Sequence, residues 1–200
     1  MFYETAENKH GLRHDPFKAL VVPRPIGWIT SIGPDGQVNL APYSFFNAFS
    51  SRPPIVGFSS EGGKDSATNT GQTREFVCNL ATWDLREQMN KTSAPVASDV
   101  DEMKLAGLSC APSRMVGPPR VAESPVALEC RHLQTVPLSN LEGSPTGALL
   151  VIGQVVGIHI ADALISDGLV DITRARPIAR LGYRDYSVVD AVFEMVRAEA

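Results

Sequence analysis

The stretch that decides the fold runs from Pro23 to Asn69 and reads PRPIGWITSIGPDGQVNLAPYSFFNAFSSRPPIVGFSSEGGKDSATN. Its Asn39–Asn47 part mixes amide and hydroxyl side chains with alanine, proline and aromatic ones, and its Ser59–Ser66 part holds hydroxyls and the cation Lys64. A flat, partly apolar ligand with a phosphate tail needs apolar surface at one end and hydroxyls, amides and a cation at the other. This stretch contains the residue types for both ends, in that order.

The same stretch predicts a β-hairpin. Two extended runs, Trp28–Ile32 and Val38–Pro42, are separated by Gly33-Pro34-Asp35-Gly36, a cluster that favours a tight reversal of the chain. The next three elements are predicted to be a strand, a short helix and a strand, at Ile55–Phe58, Lys64–Thr73 and Glu75–Leu80.

The helices predicted downstream are short and peripheral. Asp84 with Glu87 three residues later indicates a capped helix, and Asp101–Ala106 indicates another helix that ends at Gly107.

The strands predicted downstream are long. A strand-like run, Ser124–Pro137, is followed by the Val- and Ile-rich run Gly147–Ile160, in which Gly153 and Gly157 are places where a strand can bend. A long, bent strand suits the wall of a β-barrel. We therefore expect a mainly β fold with short helices.

Length and composition limit the architecture and the partners. The chain has 200 residues, of which 44% are hydrophobic, enough to bury one substantial core. We expect a single domain over residues 1–200. The net charge of −4 and the lack of any Lys/Arg run exclude a protein that binds a phosphate backbone, so nucleic acid is not an expected partner.

Nothing in the sequence indicates a membrane or an oxidising compartment. The longest apolar run, Gly147–Ile160, is shorter than a spanning helix and contains Gln154 and His159. Met1–Thr5 is polar and acidic, unlike the start of a signal peptide. The three cysteines show no Cys-x-x-Cys spacing and are typical of reduced packing residues. We expect a cytoplasmic protein.

We expect no metal site and no hydrolase chemistry. His10 and His14 have the spacing of a helical metal site, but Gly11 and Pro16 disfavour a helix there and no third ligand is near. The sequence also lacks a Ser-His-Asp order, a Gly-x-Ser-x-Gly elbow and a paired-carboxylate pattern.

The Gly-rich segment before the predicted helix indicates a phosphate site. It is not a nucleotide-binding P-loop, because Phe58 stands where that motif needs glycine and Asp65 replaces its Ser or Thr. It is a turn that enters a helix whose first residues include Lys64 and Ser66, where free backbone N–H groups can bind an anion. Taken alone, the segment fits an ordinary exposed loop better, and only its flanking sequence favours a phosphate.

The segment Asn39–Asn47 has a hydrogen-bonding edge and an apolar face within one short run, as a ring system with polar edges would need. A buried strand end, in which the Asn residues bond turn backbone and the aromatic residues are core, explains its composition as simply. The two segments together favour a ligand.

Beyond these motifs, the chain resembles the flavin reductase-like family of FMN-binding split barrels. The resemblance covers about residues 14–186 and rests on the stretch above and on EFVCNL (75–80), PPRVAESPVALEC (118–130) and PIARLGY (177–183). DPFKAL (15–20) and NKTSAP (90–95) are most similar to the branch with the reductase component of nitrilotriacetate monooxygenase and flavoredoxin-type proteins. The resemblance implies an FMN-binding split β-barrel of Greek-key type.

The resemblance also implies which residues hold the flavin. The ring and ribityl chain would be lined by Thr30, Ser31, Asn39, Ala41, Pro42, Tyr43, Ser44 and Asn47, and the phosphate end by Ser59, Ser60, Lys64, Asp65 and Ser66. Family members are homodimers with the flavin near the subunit interface, so Arg180, Tyr183 and Tyr186 would approach a flavin bound mainly by the partner chain. Residues 1–14 would form an N-terminal arm and residues 187–200 a C-terminal extension.

These features lead to a main hypothesis and two alternatives. The main hypothesis is an NAD(P)H-dependent FMN reductase that passes reduced flavin to a monooxygenase or another acceptor, in which the cofactor carries the reactivity and no catalytic side chain is needed. The alternatives are a flavoprotein that retains FMN as an electron carrier or direct oxidoreductase, and a flavin-binding module without turnover. The chain has GYRDY (182–186) where many short-chain flavin reductases carry a nicotinamide-contacting histidine.

Overall fold

The computed structural model describes residues 1–198, and most of its regular structure is β-strand. The strands are β1 Arg24–Pro25, β2 Gly27–Ile32, β3 Val38–Tyr43, β4 Phe46–Ser51, β5 Pro54–Glu61, β6 Glu75–Leu80, β7 Cys110–Ala111, β8 Arg120–Val121, β9 Val126–Ser139, β10 Pro145–Ile160, β11 Ile165–Ser166, β12 Leu169–Val170, β13 Ile178–Arg180 and β14 Tyr186–Val188. The helices are α1 Phe17–Leu20, α2 Asp65–Thr73, α3 Arg86–Lys91, α4 Glu102–Ala106 and α5 Ile172–Ala175, with a 3-10 turn at Asp162–Leu164. Within the described part of the chain, no helix is long and apolar enough to cross a membrane.

Seven strands form one antiparallel sheet in the order β3-β2-β6-β9-β10-β5-β4, and β1, β13 and β14 form a second, three-stranded sheet. The hairpin predicted at Trp28–Pro42 is β2 and β3, which pair from Gly27 opposite Tyr43 to Ile32 opposite Val38. The predicted mainly β fold is confirmed.

The strand order forces the large sheet to close on itself. Its two edge strands, β3 and β4, are connected only by Ser44 and Phe45. Six strand spacings of ~4.8 Å would put the edges of a flat sheet about 29 Å apart, whereas the step from Tyr43 to Phe46 spans at most about 11 Å. The Ser59 N–H donates to the Phe45 carbonyl at 2.8 Å, which extends the pairing of β4 with β5 into this connection. The sheet is therefore a barrel, and Ser44 lies where its edges meet.

Two hydrophobic cores lie on opposite faces of β2, because successive side chains of a strand point to opposite faces. Ile29 packs inside the barrel with Phe58 and Phe76. Trp28 packs on the outer face with Met103 of α4 and Ile178 of β13. The short helices thus bury the outer face of the sheet on the side that carries β2 and β3.

The prediction that β10 bends at its glycines is confirmed. The register between β9 and β10 shifts between Ile152 and Gly153 and again between Val155 and Gly157. A Cβ atom added to Gly153 would lie 2.4 Å from the Cε1 atom of Phe76, so this position needs glycine for close packing as well.

The helix predictions are partly confirmed. Asp101 caps α4 by accepting the Lys104 N–H at 3.1 Å, and Gly107, with φ of 71°, ends it in the left-handed conformation. The cap predicted at Asp84 is wrong, because α3 begins at Arg86 and its N-cap, Leu85, offers no side-chain oxygen.

The ends of the chain differ in how they join the fold. Residues 1–14, the expected arm, form turns and bends without a helix or strand. In the expected extension, Ser187 and Val188 belong to β14, residues 189–198 carry no regular secondary structure, and residues 199–200 lie outside the described residues.

Candidate functional site

The candidate site begins where β5 ends and α2 starts. After Gly62, with φ of 57°, and Gly63, the chain enters α2 with Lys64 at the N-cap in extended conformation. The first N–H groups of a helix lack intrahelical acceptors, and the helix dipole adds positive potential there. Lys64 and Ser66 bring an ammonium group and a hydroxyl to the same place, so this end of the site is suited to an anion.

A buried hydrogen-bond network fixes Ser66. The Asn39 side-chain amide donates to the Ser66 hydroxyl at 2.8 Å and to the Ser31 hydroxyl at 3.2 Å. The Asn69 amide also donates to Ser31, at 3.4 Å. The network joins β2, β3 and α2, and it places Ser31 behind the site as a supporting residue.

Two buried hydroxyl groups beside Ser66 have no hydrogen-bond partner among the described residues: those of Tyr43 and Ser60. These residues are only 6% and 2% exposed. Burial raises the pKa of Tyr43, an effect that the nearby Ser66 and Ser60 hydroxyls oppose, although neither has the geometry of a hydrogen bond to the phenol. A buried polar group without a hydrogen-bond partner costs free energy. These hydroxyls therefore suit a polar ligand that forms hydrogen bonds with them.

A cavity of about 440 Å³, which we name the Lys64 cavity, opens at this point. Seven of the predicted site residues line it: Asn39, Ala41, Pro42, Tyr43, Lys64, Asp65 and Ser66. The rest of the lining is the segment Thr92–Val96 together with Glu102. The structure therefore brings the two predicted segments to one place.

Two more cavities continue from the Lys64 cavity. The Ser44 cavity, of about 330 Å³, shares Pro42 and Ser93 with it and is also lined by Ser44, Arg180 and Tyr186. The Trp83 cavity, of about 690 Å³, shares Arg180, Tyr186, Met89 and Asn90 with the Ser44 cavity. The three cavities form one groove, hereafter the groove, from α2 to β14.

Four predicted residues of β2 and β5 do not line the groove, and one of them is the supporting residue Ser31. Thr30 is fully buried and accepts a hydrogen bond from the Asn79 amide at 2.8 Å, inside the sheet. Ser60 is buried near Tyr43, which lines the Lys64 cavity. Ser59 points to the other face of β5, because neighbouring side chains of a strand alternate.

Two further predicted residues lie elsewhere on the surface. Asn47 is exposed on the edge strand β4 and accepts the Ala48 N–H at 2.8 Å. Tyr183 is half exposed, and its ring centroid lies 5.6 Å from that of His14. In the groove, the neighbouring aromatic residue of β14, Tyr186, lies against the Arg180 guanidinium, 4.5 Å from the ring centroid.

The residues missed in the sequence lie in the loop after α3 and at the start of α4. Thr92 accepts a hydrogen bond from the Trp28 indole N–H at 2.9 Å, which anchors the Thr92–Val96 segment to the outer core. The only sequence signal for this wall was the family resemblance of NKTSAP (90–95). Glu102 had no local signal beyond its place in the first turn of a helix.

Glu102 places a buried carboxyl group at the cavity wall. Burial raises its pKa, the hydrogen bond from the Leu40 N–H at 3.0 Å opposes the rise, and the charges of Asp65 and Asp101 add to it. The negative charge of Glu102 is therefore poorly stabilised at this position.

The flavin reductase-like domain family matches residues 19–179 of the chain. An uncharacterized protein of Halalkalibacterium halodurans is 36% identical over 182 residues, which is 88% of this chain and 87% of the relative.

Solved structures show the same architecture. Nitrilotriacetate monooxygenase component B from Bacillus cereus superposes with a TM-score of 0.88 at 30% identity, over 98% of both chains. The 2-nitrobenzoate 2-nitroreductase NbaA from Pseudomonas fluorescens superposes with a TM-score of 0.86 at 25% identity, over 98% of this chain and 96% of NbaA. The predicted split β-barrel is confirmed. The chain belongs to the flavin reductase-like domain family.

Proposed function

We propose that the protein is a flavin reductase that binds FMN in the groove, transfers a hydride to it from NAD(P)H and supplies reduced flavin to a monooxygenase or another acceptor. The observation that carries this proposal is the order in which cationic, apolar and polar groups occur along the groove. Helix N–H groups and Lys64 stand at one end, apolar walls with Ser44 follow, and Arg180 lies beyond them. Membership of the family and the similarity to a monooxygenase component support it.

The phosphate of FMN would be held by Lys64, Ser66 and the start of α2. A phosphate dianion is favoured both by a helix N-terminus and by a charge-assisted hydrogen bond from an ammonium group. The Lys64 ammonium nitrogen lies 6.0 Å from the centroid of the Tyr43 ring, so it already faces the cavity that Tyr43 lines. The unpartnered hydroxyl of Tyr43 is a further donor.

The flavin ring would be held between the Lys64 and Ser44 cavities. Ala41 and Pro42 give a flat apolar wall there, while Ser44 and Asn90 offer hydrogen-bonding groups at its edge. Ring systems are bound in this way, by apolar surface with a few placed polar groups.

A bound FMN would supply the acceptor for the hydride that is lost when NAD(P)H is oxidised to NAD(P)⁺. The chain's own residues bind the phosphate, orient the ring and exclude water. Because hydride transfer to a flavin needs no side-chain nucleophile, we expect affinity changes, not an abolished reaction, from single substitutions at the phosphate end.

We also propose a homodimer. β4 is an edge strand, and its Phe49 side chain is 56% exposed. An unpaired edge with an exposed aromatic residue favours association. In such a dimer, Asn47 and Tyr183, which do not line their own groove, would be available to the flavin of the partner chain.

The proposed function is tested by following NADH and NADPH oxidation with and without added free FMN. Oxidation that saturates with added FMN is expected, and it would name the donor. A protein that oxidises neither nucleotide at any FMN concentration is not a flavin reductase.

A second candidate is a flavoprotein that retains FMN and reduces an organic substrate directly. The similarity to NbaA, named for reduction of 2-nitrobenzoate, favours it. This candidate predicts a yellow purified protein whose NAD(P)H oxidation needs a nitroaromatic acid but no added FMN.

A further inference from the structure

The Trp83 cavity is the largest of the three that form the groove, yet the FMN placement above does not use it. Its volume is about 690 Å³, against about 440 Å³ for the Lys64 cavity. It opens from the Ser44 cavity past Arg180 and Tyr186. A ligand seated there could therefore reach the place proposed for the flavin ring.

The Trp83 cavity is cationic. Arg86, Arg180 and Arg184 line it, and Glu87 is the lining residue of opposite charge. Arg86 and Glu87 form an exposed ion pair, with 3.6 Å between the guanidinium and the carboxylate. Among the described residues, no other acidic residue lines the cavity to pair with Arg180 or Arg184. The Arg180 guanidinium donates to the Tyr183 carbonyl and stacks on Tyr186, contacts that do not neutralise its charge. The two positive charges match the charge of a diphosphate, and guanidinium donors fit its oxygens.

The same cavity offers flat apolar surface. The Trp83 ring is partly exposed, and Met89, Ile178 and Val188 line the cavity beside it. The Arg86 guanidinium lies 4.1 Å from the Trp83 ring centroid, which places a cation and an aromatic face together. The Arg176 guanidinium also lies near this ring, 5.5 Å from its centroid. A purine can pack against the apolar residues beside these cations while its phosphates bond to arginine.

We propose that the Trp83 cavity binds the adenosine diphosphate part of the nicotinamide dinucleotide donor, with the nicotinamide directed toward the Ser44 cavity. The proposal rests on the proposed function. A small aromatic acid would match the cations less well, because it carries one negative charge and fills little of this cavity. The separate Trp83 and Lys64 cavities also let donor and flavin phosphates bind at the same time without repulsion at close range.

The test is calorimetric binding of ADP-ribose, and of its 2′-phosphorylated form, to the FMN-loaded protein, which needs no turnover. Arg184→Gln and Arg86→Gln are compared with Arg131→Gln, an exposed arginine of β9 that lies outside the groove. We expect the two cavity variants to raise the Kd roughly tenfold or more, since each loses a charge-assisted contact, and the control to bind as the wild type does. The tighter of the two ligands identifies NADH or NADPH as the donor.

Steady-state kinetics separate this inference from the proposed function. We expect the cavity variants to raise KM for the donor by a similar factor, with kcat and the Kd of FMN within about twofold of the wild type. The Trp83 assignment would be overturned if both variants oxidised the donor with unchanged KM, or if the wild type bound neither form of ADP-ribose. Neither result would contradict the proposed reductase activity. Binding without any oxidation would overturn the reductase and leave the cavity as an adenosine diphosphate site.

Discussion

Lys64 brings a positive charge to the end of the groove where α2 begins. If it bonds to the FMN phosphate, Lys64→Ala should weaken FMN binding by roughly 1.5–3 kcal/mol, the range of a charge-assisted hydrogen bond. The Kd of FMN, measured by quenching of flavin fluorescence, checks this. Lys104→Ala removes an equal charge from the exposed face of α4 and should leave the Kd unchanged. Equal Kd values for Lys64→Ala and the wild type would remove Lys64 from the site.

Glu102 gives a prediction with a definite pH dependence. Because its pKa is raised on folding, the folded protein binds more protons just above the normal carboxyl range, and stability falls as the pH rises through that window. Glu102→Gln keeps an oxygen acceptor for the Leu40 N–H but removes the charge. We expect the free energy of unfolding to increase by roughly 1 kcal/mol at pH 7 and the gain to vanish once the wild-type carboxyl is protonated.

Urea denaturation at pH 7 and at pH 4 measures this difference. Glu142→Gln, in the exposed turn between β9 and β10, is the control and should change stability little at either pH. A loss of stability in Glu102→Gln that is the same at both pH values would show that the charge of Glu102 does not destabilise the fold, and it would contradict this prediction.

At the scale of elements, Gly153 lies at a register shift of β10 and packs closely against the Phe76 ring. Gly153→Ala forces a Cβ into the Phe76 ring and should destabilise the protein by roughly 1–3 kcal/mol, the usual cost of overpacking. Gly71→Ala is the matched control, since Gly71 lies within α2 with open space at its Cβ. That variant should gain roughly 0.5–1 kcal/mol. Urea midpoints that move in the same direction for both variants would contradict this account of β10.

The elements that could be predicted from sequence are those with a local signal. The hairpin of β2 and β3, the helix α2 and the strand β6 each have their own periodicity or turn residues. β13 could not be predicted, because its three residues have no pattern of their own and it forms by pairing with the distant β1, Arg24 opposite Arg180, and with β14. β4 was not predicted, because Phe46 and Asn47 fit a ligand-binding segment as well as they fit a strand.

For the whole molecule, the groove combines residues from Ile26 to Val188. Half of the Lys64 cavity could be predicted, because α2 and β3 are joined by one continuous stretch of sequence. The wall formed by Thr92–Val96 and Glu102 could not, since only the packing of α3 and α4 on the outer core brings it there. The family resemblance predicts Tyr186 near the flavin of a partner chain, but its place in the groove of its own chain depends on β14, which was not predicted.

The proposed dimer is also a property of the whole molecule. Phe49→Lys puts a charge on the exposed edge strand β4 and should shift the protein toward monomer, because a desolvated charge opposes association. Size exclusion with light scattering measures the mass. Leu141→Lys, in the fully exposed turn before β10, should leave the mass unchanged. A wild type that is monomeric at every concentration would contradict the dimer.

The central claim is that the groove holds FMN with its phosphate at the start of α2, and a crystal structure grown with FMN tests it most directly. We expect the phosphate within hydrogen-bond distance of the Lys64 ammonium and the Ser66 hydroxyl, with the ring beside Pro42 and Ser44. A flavin bound outside the Lys64 and Ser44 cavities, or a phosphate that contacts neither Lys64 nor Ser66, would contradict the account.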